Sequence, residues 1–183
     1  LKKKCIKKKS NIKKIGAVAS KWTDQKGIND IINLSQLLED NYYLEIAGIV
    51  PRKHSLRYFK NINCIGEIKC QKELRLFYQS CDVIFNPSQV ETFGLIPIEA
   101  ISQQTPVVAY NHKVFEEIYH NFKFVSLVEN RNYHDAIKEI YRFIEYKPKK
   151  NEWINEQDKL KDFSAQRFAS RYQELYLKLM GGS

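Results

Sequence analysis

The residues able to do chemistry in this chain are two glutamates, a lysine and a glycine. Glu91 and Glu99 enclose seven residues, Gly94 lies among them, and Lys26 sits in a polar loop upstream. The apolar run Val83-Ile84-Phe85 reads as a buried strand leading into Asn86-Pro87-Ser88. Pro97 suits the first turn of a helix, because its φ is fixed and its missing N–H has no partner there. With Pro97 as the first helical residue, Glu99 falls in the first turn. The stretch is then strand, irregular loop and helix start, and the free N–H groups of such a start attract anions. Gly94 either lets backbone approach a ligand or turns the chain with positive φ. Glu99 either complements the helix dipole, worth ~0.3–1 kcal/mol, or accepts hydrogen bonds from a ligand.

Those residues need a frame to hold them. Ile15-Gly16-Ala17-Val18-Ala19 reads as a strand of small apolar residues, followed by a polar loop from Lys21 to Lys26. Ile28, Ile31, Ile32 and Leu38 then share one helical face, with Thr23 or Asp24 as the cap. Tyr43 to Ile49 is strand, and Pro51 to Asn61 is a connection with a short helix. Ile62 to Ile65 is strand, and Glu73 to Ser80 is helix. After the central stretch come strands at Val107 to Tyr110 and Phe122 to Leu127, with a short helix from Phe115 to His120 between them. Helices follow at Tyr133 to Tyr146 and Ser164 to Met180, the second opening on a staple of Phe163 and Phe168 around an N-cap serine. Alternation of this kind predicts βαβ units. The expected fold is α/β, a Rossmann-like doubly wound sheet of about six parallel strands with helices on both faces. In such sheets ligands bind outside the carboxyl ends of the strands, so the loops at Ser20 to Lys26, Gly66 to Cys70 and Asn86 to Leu95 should converge.

Pro87-Ser88, then Glu91, Phe93-Gly94-Leu95, Glu99 and Thr105-Pro106-Val107 form an ordered set. It resembles the signature of retaining, nucleotide-sugar-dependent glycosyltransferases of the GT-B fold, the glycosyl transferases group 1, and the likeness runs from about Ile15 to Ile118. The resemblance implies that the chain is the C-terminal, donor-binding domain, with the reaction in a cleft shared with an N-terminal acceptor domain. It implies that Glu91 reaches the donor sugar's hydroxyls, Glu99 the ribose diol, and the Phe93-Gly94-Leu95 backbone the sugar and phosphate. Ile68 falls in the loop that frames the base, and Lys26 matches the family's lysine. It implies a nucleoside diphosphate sugar as co-substrate, no metal or other cofactor, and a domain inactive without its other half. The leaving diphosphate would be stabilised electrostatically by Lys26 and the helix start.

The sequence also departs from that pattern. An arginine usual six positions before the lysine is Ser20 here, with Lys21 beside it as a substitute in donor binding. The glycine usual before Thr-Pro-Val is Gln104, and a Gly-Gly pair after the fifth strand is Lys113-Val114. These changes keep open a non-catalytic nucleotide-binding or assembly module of the same fold; an epimerase of similar fold is a further alternative, against which the central motif argues for transfer.

A net charge of +9 raises the question of nucleic acid. Eight of the 30 basic residues are lysines within residues 1–14; the other 22 face 21 acidic residues, so the folded part is about neutral. The lysines read as a basic tail or interdomain linker, with an anionic membrane face as the alternative partner, at ~1 kcal/mol per lysine. A nucleic-acid partner is not expected. Residues 15–180 read as one nucleotide-sugar-binding domain and 181–183 as an appended remnant. The chain starts at Leu1 without Met or signal peptide, which reads as a piece of a longer protein. Cys5, Cys64, Cys70 and Cys81 lack metal-ligand spacing and read as reduced thiols, Cys81 in the core. His54, His112, His120 and His134 read as surface or packing residues. The expected location is cytoplasmic, peripheral at the inner membrane face if the tail binds lipid.

Overall fold

The computed structural model describes residues 12–51, 54, 56–146 and 148–180. Six strands form one sheet: β1 (Lys13–Lys21), β2 (Tyr42–Ile49), β3 (Ile62–Gly66), β4 (Val83–Asn86), β5 (Val107–Tyr110) and β6 (Val125–Val128). They lie in the order β3-β2-β1-β4-β5-β6, and every neighbouring pair is parallel. Central strands of a covered parallel sheet are buried on both faces and read as continuous apolar runs. Ile15, Leu44, Val83, Ile84, Phe85, Val107, Val108 and Ala109 accordingly have no exposed surface. The chain lays down β1, β2 and β3 in one direction, then returns to the other side of β1 for β4, β5 and β6. The order therefore reverses between β1 and β4, which puts the loops after those two strands side by side.

Helices on both faces complete the layer: α1 (Ile28–Leu37), α2 (Gln71–Gln79), α3 (Leu95–Ser102), α4 (Lys113–Tyr119) and α5 (Tyr133–Glu145). Helix α1 meets α5, and α2 meets α3. A 3-10 turn, Leu56–Tyr58, lies in the connection after β2.

Several boundaries differ from the sequence reading. β1 takes in Lys13 and Lys14, because Lys14 Nζ finds Glu45 Oε2 on β2 at 2.6 Å and its N–H donates to Asp82. Lys21 ends the strand instead of opening the loop, pairing with Ile49 after a register shift. Neither Thr23 nor Asp24 caps α1. Its N-cap is Gly27 at φ 80°, and the Thr23 hydroxyl instead accepts the Lys26 N–H at 3.1 Å within the preceding turn. β6 begins at Val125, after Phe122 and Phe124 have already been buried in the approach to it.

The chain divides into two compact units, Leu1–Lys147 and Pro148–Ser183. The second holds a helix the sequence reading lacks, α6 (Lys150–Lys159), then a 3-10 turn at Leu160–Phe163 and α7 (Ala165–Met180). Helix α6 is Lys-Asn-Glu-Trp-Ile-Asn-Glu-Gln-Asp-Lys, too polar for periodicity to reveal. Its start is marked by Glu152, whose carboxylate accepts the Lys149 N–H at 2.8 Å. Ser164 caps α7 as expected, accepting from the Arg167 N–H at 3.3 Å. Tyr172 and Tyr176 on α7 are exposed. Cys81 is buried, and Cys64 and Cys70 are exposed free thiols; Cys5 lies outside the described residues. Among the described residues, no helix is long and apolar enough to cross a membrane.

Gln104, between α3 and β5, has φ 61° and an exposed side chain. A left-handed conformation costs an L-residue ~1–2 kcal/mol, and glycine's looser unfolded chain returns ~0.4–1 of that. Gln104→Gly should therefore raise stability by ~0.5–1 kcal/mol, seen as a higher urea midpoint at unchanged slope. A lower midpoint would show that the turn is not strained.

Candidate functional site

The loops after β1 and β4 meet at the reversal of strand order, where an open α/β sheet presents its ligand crevice. They meet closely because residue 27 has no side chain. A Cβ there would lie 2.4 Å from the Pro87 carbonyl oxygen and 2.7 Å from Pro87 Cβ. The Gln89 N–H donates to Gln25 O at 2.8 Å, joining loop to loop. Above this contact Lys26 Nζ reaches Glu91 Oε1 at 2.8 Å and Ser88 Oγ at 3.3 Å. The Glu91 side chain is 11% exposed and that of Lys26 38%. A carboxylate so withdrawn from water is expensive without a counter-charge, and Lys26 supplies it. Ser88 is held from two more sides: its hydroxyl donates to Val90 O at 3.1 Å, and His112 Nε2 lies 2.6 Å from its carbonyl oxygen. That contact needs the proton on Nε2 of His112, which is the N-cap residue of α4. His112, read from sequence as packing or surface, thus touches the loop that carries Glu91.

Helix α3 starts earlier than its proline suggests. Its N-cap is Gly94 at φ 72° and its first residue Leu95, so Pro97 is the third helical residue and Glu99 the fifth. No carboxylate lies in the first turn. The physical reason is that no N–H in a helix's first turn has an intrahelical acceptor, so proline fits anywhere in it. The left-handed glycine sets the start. Pro97 has no N–H and the Ile98 N–H faces the Gly94 carbonyl one turn back, so the N–H groups of Leu95 and Ile96 are the donors the helix end offers.

Gly94 has both properties left open by its sequence. Its φ is positive, and a Cβ on it would lie 2.0 Å from Phe115 Cε1. The close approach on that side is made by a protein side chain, not left for a ligand. Tyr119 donates its hydroxyl to Gly94 O, and His112, Phe115, Tyr119 and Phe122 stack edge to face behind it at 5.3–5.6 Å. Burial pushes the Tyr119 hydroxyl's pKa up, which keeps it a donor.

Glu99 turns towards α2. Tyr78 donates to its Oε2 at 2.7 Å, and the half-buried carboxylate helps line a cavity of about 190 Å³ with Gln71, Leu74 and Arg75. Burial, and then Glu99 itself, pushes the Tyr78 hydroxyl far above the ordinary phenol range. One carboxylate oxygen is thus committed to Tyr78.

The other expected residues are placed more loosely. Lys21 and Ser20 are exposed at the end of β1, and Ile68 is half-buried between β3 and α2. Phe93 is half-buried and Leu95 is 58% exposed. Lys113 opens α4 and is exposed. Among the described residues, no three His, Cys, Asp or Glu are grouped to hold a metal ion. Ser88, Gln89, His112, Tyr78 and Phe115 were not singled out by sequence for roles here. Only Ser88 carried a signal, as part of the Pro-Ser pair.

Comparison with known proteins gives consistent results. The family model described as glycosyl transferases group 1 matches residues 2–160. The O-antigen chain mannosyltransferase RfbU of Salmonella typhimurium is 28% identical over 144 residues, 74% of this chain and 40% of that protein. The alpha-monoglucosyldiacylglycerol synthase of Streptococcus pneumoniae is 30% identical over 146 residues, 76% of this chain and 32% of that one. This chain thus spans less than half of either relative. Among solved structures, TarM superposes with a TM-score of 0.73 at 18% identity, covering 91% of this chain and 35% of that one. A sucrose-phosphate synthase from Thermosynechococcus elongatus gives 0.70 at 20% identity, covering 93% and 46%. A structure of TarM from S. aureus was determined with UDP, giving 0.72 at 18% identity and covering 91% and 36%.

Gly27→Ala tests the loop contact. Left-handed strain of ~1–2 kcal/mol and overpacking of ~1–3 kcal/mol should together destabilise the domain by ~2–5 kcal/mol in urea denaturation. A loss under ~1 kcal/mol would mean the two loops do not abut as described.

Proposed function

This chain belongs to the glycosyl transferases group 1 family, and we propose that it is the nucleotide-sugar donor-binding domain of a retaining glycosyltransferase. The product would be a polysaccharide, lipopolysaccharide or other glycoconjugate, as the names of the mannosyltransferase and the glucosyldiacylglycerol synthase suggest. The observation that carries the reading is the Lys26–Glu91 contact at 2.8 Å. It brings a cation and a carboxylate together where the strand order reverses, beside the start of α3.

In this reading a UDP- or GDP-sugar lays its diphosphate against Lys26 and the N–H groups of Leu95 and Ile96. As the anomeric carbon becomes positive, negative charge gathers on the leaving diphosphate, and these donors stabilise it. An ammonium has three N–H donors, so Lys26 can share itself between phosphate and Glu91. Glu91 accepts from the donor sugar's hydroxyls, with Lys26 beside it as the counter-charge. Glu99 accepts from a ribose hydroxyl through Oε1 while Tyr78 holds Oε2. Phe93, Gly94 and Leu95 line the sugar and phosphate, Ile68 the base, and Lys21 stands in for the missing arginine. The reading assigns charge stabilisation to these groups and calls for no metal. The acceptor is held by an N-terminal domain, so this domain alone binds nucleotide without transferring sugar. The reading places the enzyme in the cytoplasm, with the lysines of residues 1–9 meeting an anionic membrane face and no nucleic acid as partner; Lys13 and Lys14 belong to β1 instead.

A non-catalytic nucleotide-binding or assembly module of the same fold is the second reading. It is favoured by Phe115 beside Gly94 and by Ser20, Lys113 and Val114.

Two measurements test the proposal. A nucleoside diphosphate at 100 times its dissociation constant should stabilise the native domain by ~2.7 kcal/mol. A thermal-shift panel of UDP, GDP and ADP with their sugars should yield one clear responder, and a panel without any would remove the nucleotide reading. In the full-length enzyme, Lys26→Ala should lower turnover ~10²–10³-fold and Glu99→Gln should weaken donor binding. Unchanged kinetics in both would leave the non-catalytic module.

A further inference from the structure

We propose that Asp30 is a positioning residue for Glu91, acting through Gln89; the proposal rests on the donor-transfer reading above. Asp30 is the third residue of α1, one turn beyond Lys26, and only 2% of it is exposed. Its Oδ1 accepts from Tyr133 at 2.8 Å and from Tyr110 at 3.1 Å, with Arg131 Nε 3.9 Å away. Its Oδ2 accepts from Gln89 Nε2 at 3.2 Å. Every polar neighbour is a donor, so the position calls for an acceptor-only group, which an ionised carboxylate is.

A buried carboxylate contributes little net stability compared with apolar residues of similar volume, so its worth lies in what it orders. Tyr110 and Tyr133 belong to β5 and α5, elements already fixed by packing. Gln89 belongs to the irregular loop that carries the site. Its backbone N–H is held by Gln25 O at 2.8 Å and its side chain by Asp30, so residue 89 is anchored at both ends. Ser88, bonded to Lys26, precedes it, and Glu91 follows two residues on. A loop pinned at Gln89 has little freedom to carry Glu91 away from Lys26. Asp30 touches no reacting atom in this arrangement, and its effect passes through the loop.

The test uses the full-length enzyme, with donor kinetics and amide hydrogen exchange measured together. Gln89→Ala leaves Asp30 its two tyrosine donors, so the fold should survive. Exchange at residues 88–91 should rise at least ~10-fold, and kcat should fall ~10–100-fold with a smaller change in the donor KM. Asp30→Asn presents an amide donor that Gln89 can meet only by turning its own amide to offer Oε1, and should show the same changes in smaller measure. Adding Gln89→Glu to Asp30→Asn reverses the pair, giving an acceptor opposite the new donor, and should restore most of kcat and the slow exchange. A purely structural Asp30 would not be rescued by a change at residue 89. Unchanged exchange in Gln89→Ala, unchanged kcat despite faster exchange, or no rescue in the reversed pair would each overturn the proposal. An unaltered enzyme that transfers no sugar from any donor overturns the transferase reading instead. That outcome is recognised because exchange in Gln89→Ala still rises.

Discussion

The site depends on one ion pair formed across a reversal of strand order. Lys26 follows β1 and Glu91 follows β4, 65 residues apart in sequence and 2.8 Å apart in space. Only a sheet that grows first one way and then the other from β1 makes those two loops neighbours. The pair in turn constrains its surroundings. Glu91 is nearly withdrawn from water and needs a cation, and Lys26 can supply one only if the two loops touch. They touch because residue 27 is glycine and its missing Cβ makes room for Pro87. Ser88 then stands between cation and backbone, fixed by Lys26, Val90 and His112. Fold, loop contact and charge pairing are a single chain of dependence.

That chain has two supports outside the crevice. Behind Gly94, the aromatic row from His112 to Phe122 fills the space where the helix turn would otherwise be free to move. Beneath Gln89, Asp30 gathers donors from a loop, a strand and a helix. Both limit where Glu91 and the N–H groups of α3 can be. Preorganised donors cost no reorganisation when charge develops, which is where electrostatic catalysis gains most.

Much of this was readable in the sequence, and the reasons differ by element. The six strands and their parallel arrangement follow from apolar runs alternating with helical periodicity, because burial on both faces leaves the central strands little choice of residue; the edge strand β3 has no buried residue. Lys26, Glu91 and Gly94 stood out as a spaced set. The start of α3 did not: Pro97 fits three positions equally, and the deciding factor is the left-handed backbone at Gly94, which spacing cannot show. The cap of α1 is not legible locally because Gly27 answers to Pro87, a contact made across 60 residues. Helix α6 is too polar to leave an apolar periodicity. Glu99's bond to Tyr78 and Asp30's to Gln89 are tertiary pairings between side chains with no local signature. Gln104 is the converse case, a residue whose type argues against the left-handed turn it occupies.

The most direct measurement is a crystal structure of this domain soaked with the nucleoside diphosphate it binds. The diphosphate oxygens should lie within about 3 Å of Lys26 Nζ and of the Leu95 and Ile96 N–H groups, the span of a charge-assisted hydrogen bond. A nucleotide bound elsewhere, with Lys26 still engaged only by Glu91 and Ser88, would contradict it.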